Sequence, residues 1–158
     1  MADGSVKSGF QFDSYKVDRI DFTVEQSLST LASRQNDFDV KYSFSFRDAL
    51  KYKDSADKVL YVTGLRVSVS VLSKNDKHEM AKGLFEITGL FVSMGTFTAE
   101  QEEFLARTQA PTILFPYVRA VISQTMYNAG FAIPIMPLLN INEMAKDTKL
   151  KVVENAMS

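Results

Sequence analysis

A length of 158 residues sets the scale of one domain with a core of its own. Eighteen Lys and Arg against nineteen Asp and Glu leave a formal charge of -1, with no field to gather a phosphate backbone or an anionic bilayer, so nucleic-acid binding and membrane insertion are disfavoured. The lack of cysteine removes disulfides, thiolate nucleophiles and Cys-ligated zinc, while 46% hydrophobic residues and twelve Phe mark a folded chain with aromatic surface available for binding.

Residues 1–13 read as a flexible N-terminus, and Met1 to Gly9 lack the basic and then apolar pattern of a secretory signal. The expected location is therefore the cytoplasm. Residues 14–95 predict an antiparallel sheet. Its first strand, Tyr15 to Glu25, puts Ile20, Phe22 and Val24 on one side and Tyr15 and Val17 on the opposite parity, which implies a bulge. Phe38 to Arg47 alternates strictly, with every even position apolar, as a half-buried strand requires. Val59 to Val71 does the same at odd positions, against Arg66, Ser68 and Ser70 on the other face. Glu79 to Met94 is apolar on both faces, and the turn residues Ser73 to Lys77 join these last two strands as a hairpin.

After Gly95 the hydrophobic period changes from two to about 3.6, so residues 98–154 form the helical part of the same single domain. Thr98-Ala99-Glu100-Gln101 has the form of a capping box opening a short helix through Arg107. Ala110-Pro111 restarts the chain, and Pro111 and Gly130 frame a long helix that Pro116 should kink. Its apolar positions cover more than one stripe, which predicts packing on two sides and hence a tetramer. Phe131 to Leu139 is shorter than a bilayer span of roughly 20 residues and is broken by Pro134 and Pro137. Asn140 to Glu143 then reads as the cap of a last helix towards Val153.

No reaction is nominated by these residues. His78, the single histidine, lies in a charged turn and reads as a solvated turn residue, because an imidazole base needs an orienting partner in a cleft. Glu100, Glu102 and Glu103 are acids in the first turn of a helix, where its positive end prefers them. There is no glycine loop with a lysine for phosphate and no Gly-x-Ser-x-Gly elbow. No enzyme, cofactor or metal is expected. The apolar run Ile133 to Leu139 either covers the core or borders a groove.

Pro111-Thr112-Ile113-Leu114-Phe115-Pro116-Tyr117-Val118-Arg119 resembles the SecB signature, Pro-x-Ile-Leu-Phe-Pro-Tyr-x-Arg. Leu65 to Val69 and Leu84 to Ile87 resemble the third and fourth strands of that family, and Gly130-Phe131 with Pro137, Leu138 and Asn140 resembles the exit from its main helix. The similarity runs from about Val17 to Ala145. It implies an α+β fold in which a four-stranded antiparallel sheet carries helices on one side, assembled as a dimer of dimers with the long helices between two sheets. It implies an ATP-independent chaperone that holds unfolded client polypeptides in apolar grooves, here Phe38, Tyr117, Phe131, Ile133, Met136 and Leu138. Val118, Val121, Ile122 and Thr125 would face the partner dimer, and Leu84 and Glu86 would meet the SecA motor. Two acidic first-strand positions of the family align with Arg19 and Thr23, and Lys146, Lys149 and Lys151 stand where an acidic tail is usual. This divergence leaves two client relationships, general export and protection of one antitoxin. A purely structural oligomer or a small-ligand binder is a third reading that leaves the apolar run unexplained.

Overall fold

The computed structural model describes residues 9–26, 38–53, 58–93, 97–131, 144 and 148–153. Five strands come first: β1 Phe10–Val24, β2 Phe38–Phe46, β3 Ala49–Lys53, β4 Val59–Ser73 and β5 Glu79–Ser93. Helix α1 spans Ala99–Phe104, a π-helical stretch Leu105–Gln109, helix α2 Ala110–Asn128, and a short strand β6 Leu150–Val153. Among the described residues the sheet has six strands, not four, in the order β1-β5-β4-β3-β6, with β2 also paired to β4.

Alternation decides which face each strand buries. In the β2–β4–β5 register Tyr42, Val69 and Gly83 lie abreast, as do Phe44, Val67 and Phe85, and Phe46, Leu65 and Ile87. Directly opposed residues share a face, so every apolar position of the alternating stretch turns the same way. The expected bulge in β1 is present, with register shifts between Phe12 and Ser14 and between Val17 and Arg19. Each adds one residue and switches parity, so Phe12, Tyr15, Val17, Ile20 and Phe22 all reach the face of Phe85, Ile87 and Phe91. The β4–β5 turn closes through Ser73 N–H to His78 O at 2.8 Å, with Lys77 in the left-handed region.

Two corrections concern the helical part. First, the chain does not restart at Ala110. The helix that begins with the capping box of Thr98 and Gln101 runs on through a widened turn, where Ala110 N–H reaches Leu105 O five residues back. Pro111 has no N–H to continue the α pattern, and the π turn absorbs that gap. Pro116 lies inside α2 on its exposed side, and the helix continues past it. Second, Leu150–Val153 is a strand parallel to β3, not the end of a helix. Ala49 N–H donates to Lys149 O, Lys149 N–H donates to the Asp48 carboxylate, and Lys151 Nζ lies 3.1 Å from it, while Val152 and Val153 are β-branched. These partners hold the Asp48 carboxyl below the usual aspartate range.

Helix α2 lays Ala110, Leu114, Val118, Ile122 and Met126, spaced by four, on the apolar sheet face. It ends at Gly130, whose φ of +92° suits only glycine, with Gly130 N–H bonded to Tyr127 O and Phe131 N–H to Met126 O. No described helix is long and apolar enough to cross a membrane.

Candidate functional site

Because α2 covers the middle of the sheet, the aromatic side chains of the outer strands collect along its two flanks. On the β1 flank the Tyr117 ring packs at a tilt on Tyr15 at 4.5 Å and on Phe12 at 5.3 Å between centroids, and Phe12 lies 5.2 Å from Phe91. Tyr15 and Tyr117 remain 44% and 36% exposed, and Ile20 on the same strand 55%. On the β2 flank Phe44 meets Phe115 edge-on at 6.1 Å and Tyr42 stacks on Phe44 at 6.2 Å. Among the described residues the buried Tyr42 hydroxyl has no hydrogen-bond partner, and burial raises its pKa against a smaller opposing effect of Arg119.

Of the six residues expected to bind clients, the three described ones, Phe38, Tyr117 and Phe131, do not share one surface. Phe38 and Phe131 pack edge-on at 5.3 Å, both are buried, and Phe22 closes on Phe131 at 6.3 Å. This cluster belongs to the core. Tyr117 makes its ring contacts with Phe12 and Tyr15 instead. Ile133, Met136 and Leu138 lie outside the described residues. Parity in the sequence puts Tyr42, Phe44 and Tyr15 on the helix side, whereas Phe12 falls in the stretch expected to be a flexible N-terminus and is instead part of β1, which begins at Phe10.

The four residues assigned to a partner dimer divide as well. Val118 and Ile122 are 1% and 0% exposed in the single protomer, so they have no surface left to bury against a second chain. Val121 and Thr125 are half-buried, and the Thr125 hydroxyl donates to Val121 O at 2.8 Å.

Leu84 and Glu86 stand on the opposite, helix-free face. The Glu86 carboxylate is held by Arg66 at 2.8 Å, with Arg19 opposite Glu86 in the register and itself 3.2 Å from Asp21. Nearby, Asp18 accepts from Thr88 and lies 3.4 Å from Arg47. These carboxylates are neutralised within the sheet. His78 is set against Glu25 beside the β4–β5 turn. No group of three or more potential metal ligands occurs among the described residues.

One polar cluster ties α1 to the sheet. Tyr61 donates to Glu102 at 2.7 Å and Lys51 reaches the same oxygen at 2.6 Å. Burial, then the Glu102 carboxylate, raises the Tyr61 pKa. The folded state therefore keeps the phenol proton where the unfolded chain gives it up. Its contribution is complete below the ordinary phenol value of about 10 and is lost as pH rises beyond it. Urea titrations above that pH should show falling stability, with a shallower fall in Tyr61→Phe. An identical alkaline limb in the variant would exclude Tyr61 as its source.

The profile of the family described as "Preprotein translocase subunit SecB" matches residues 21–149. A "Protein-export protein SecB" of Saccharophagus degradans is 31% identical over 88 residues, which cover 56% of this chain and 51% of that protein. The match thus spans about half the length of that relative. A SecB-like chaperone of Mycobacterium tuberculosis, solved in complex with a ChAD peptide from the HigA1 antitoxin, shares the fold at a TM-score of 0.59 and 17% identity, over 83% of this chain and 91% of that one.

Proposed function

Since the chain belongs to the SecB family, we propose that it is a non-enzymatic, ATP-independent chaperone that binds unfolded polypeptides along the flanks of α2. The observation that carries this reading is the aromatic lining of both flanks, in particular the contacting and partly exposed rings of Tyr15 and Tyr117. Aromatic rings offer large apolar area with a hydroxyl left in water, and they accept many partner side chains without a fixed pattern of hydrogen bonds. Ile133, Met136 and Leu138, which the sequence nominates for client binding, join these surfaces in the proposal, whereas the buried Phe131 does not. The assembly proposed is a homotetramer in the cytoplasm.

Two client relationships follow from the family. General export, with delivery to a SecA motor through Leu84 and Glu86, is the first. Service to one antitoxin is the second, and it is favoured by the outer face: Glu86 is already paired with Arg66, and on β1 Arg19 and Thr23, neither of them acidic, stand opposite Glu86 and Lys82.

An unfolded client should bind, and the same client folded should not, with a negative heat-capacity change from apolar burial. Tyr117→Ser and Tyr15→Ser should each weaken client binding by about 1–3 kcal/mol, the scale of losing one buried apolar side chain, with the unfolding midpoint nearly unchanged. Calorimetry that finds unaltered affinity in both variants would exclude the β1 flank. Copurification from the native cytoplasm separates the two relationships: many envelope precursors indicate export, one small DNA-binding partner indicates the antitoxin.

A further inference from the structure

The helix-free face of the sheet is not uniform. Toward one end, the row Thr23, Lys82, Ser70 and Lys41 runs across β1, β5, β4 and β2, and the next row contains Ser68 and Ser43. These residues line a shallow groove of about 390 Å³ that also takes in Asp21, Glu79 and Leu84. Lys41 and Lys82 are exposed and stand on either side of Ser70, two strands apart. Among the described residues neither has a carboxylate within 4 Å, whereas Lys16, Arg19, Arg47 and Arg66 on the same face each have one. Of the two acids in the groove, Asp21 is taken by Arg19 and Glu79 accepts from the Ser70 hydroxyl. The groove therefore holds two unpaired cations against one carboxylate that lacks a cation, over a floor of hydroxyls that donate hydrogen bonds.

We propose that this groove docks an acidic segment of a partner protein, with its carboxylates placed between Lys41 and Lys82. The charge complementarity selects this occupant. A basic partner would find each carboxylate of the neighbouring ion-pair belt already matched, while an acidic one meets two cations and no unshielded acid other than Glu79. A nucleic acid is disfavoured by that carboxylate and by the chain's charge of -1. The site lies on the face opposite α2, so it leaves the flanks of the helix free and does not depend on their role.

The test uses the full chain and a fluorescein-labelled oligo-glutamate peptide at low ionic strength, read by anisotropy. Saturable binding is expected, weakened about tenfold when Lys41→Gln and Lys82→Gln are combined, and little changed by Lys58→Gln with Lys74→Gln, which removes the same charge elsewhere. Amide shifts should be confined to Thr23, Ser68, Ser70 and their neighbours, a readout that needs no variant to fold. Absence of binding, equal weakening by both double substitutions, shifts on α2, or displacement of the peptide by an equal concentration of oligothymidylate would each overturn the proposal.

Discussion

Replacing Ile122 by Lys is expected to unfold the protomer rather than to split an assembly. Ile122 is fully buried and sits in the stripe from Ala110 to Met126 that α2 presses on β4 and β5. A lysine there would have to bury an ammonium with no carboxylate on the apolar sheet face, or lift the helix to release it. Either costs at least about 4 kcal/mol, a large part of the roughly 5–15 kcal/mol by which a domain is stable. Val121→Lys is the matched control. Val121 is half-buried one position further round the helix, so its lysine can carry the charge to solvent and should cost about 1 kcal/mol or less in the protomer. Denaturant titration and light scattering on both variants separate the cases. If Ile122→Lys keeps the parent's midpoint and changes only the mass, the orientation of α2 described above is wrong. A folded Val121→Lys of reduced mass would place the assembly contact beside Val121 and Thr125.

The parts of the fold that were legible in the sequence are those with a local cause. Strict alternation from Phe38 to Phe46 and from Leu65 to Val71 fixed the buried face, and the parity change before Ile20 revealed a bulge that the register places at Val17–Arg19. Thr98, Gln101 and Gly130 announced helix ends through side-chain and backbone chemistry of their own. The two missed strands have non-local causes. In β3, Leu50 and Tyr52 continue the even parity of β2, yet the chain bends at Arg47 and Asp48 so that Leu50 pairs with Val62 on the other face. β6 is four residues long and exists through its pairing with β3 and the Asp48 bonds. A run that short, with lysines at 146, 149 and 151, carries as much helical as extended character on its own.

The site was less legible than the fold because the signature around Pro111 identifies a helix without saying which way each residue faces. The breadth of apolar residues on α2 suggested two packed sides. In the protomer Val118 and Ile122 belong to the sheet side, and the breadth comes from Ile113, Phe115 and Val121 flanking the stripe. Likewise Phe38 and Phe131 are aromatic residues at the ends of their elements, a position compatible with a groove or with the core, and only the edge-on contact between them assigns them to the core. Tyr117 follows the opposite course. Its exposure was expected, but its neighbours Phe12 and Tyr15 come from a strand more than a hundred residues earlier in the chain.

Leu114→Ala is expected to cost about 2–5 kcal/mol, and part of that loss should be recovered by Gly89→Ala. Leu114 is fully buried over β5, and its side chain fills the space that a side chain on Gly89 would need: a Cβ built there would lie 2.5 Å from Leu114 Cδ2 and 2.9 Å from Cδ1. Gly89 has an ordinary strand backbone, with Tyr15 and Thr63 as its neighbours across the sheet. Close packing against the helix, not backbone strain, is therefore the reason for glycine at this position. Alone, Gly89→Ala forces Leu114 out of place and should destabilise by about 1–3 kcal/mol, offset by the roughly 0.5–1 kcal/mol that glycine costs in a strand. Alone, Leu114→Ala leaves a cavity under α2 that surrounding side chains fill incompletely. In the double variant the new methyl group occupies part of that cavity, and the clash that penalised it is gone. The summed cost of the single changes should then exceed the cost of the pair by about 0.5–3 kcal/mol, the range found for residues in direct contact. Additivity within about 0.5 kcal/mol would mean that Leu114 does not rest on Gly89, and the placement of α2 over β5 would have to be abandoned.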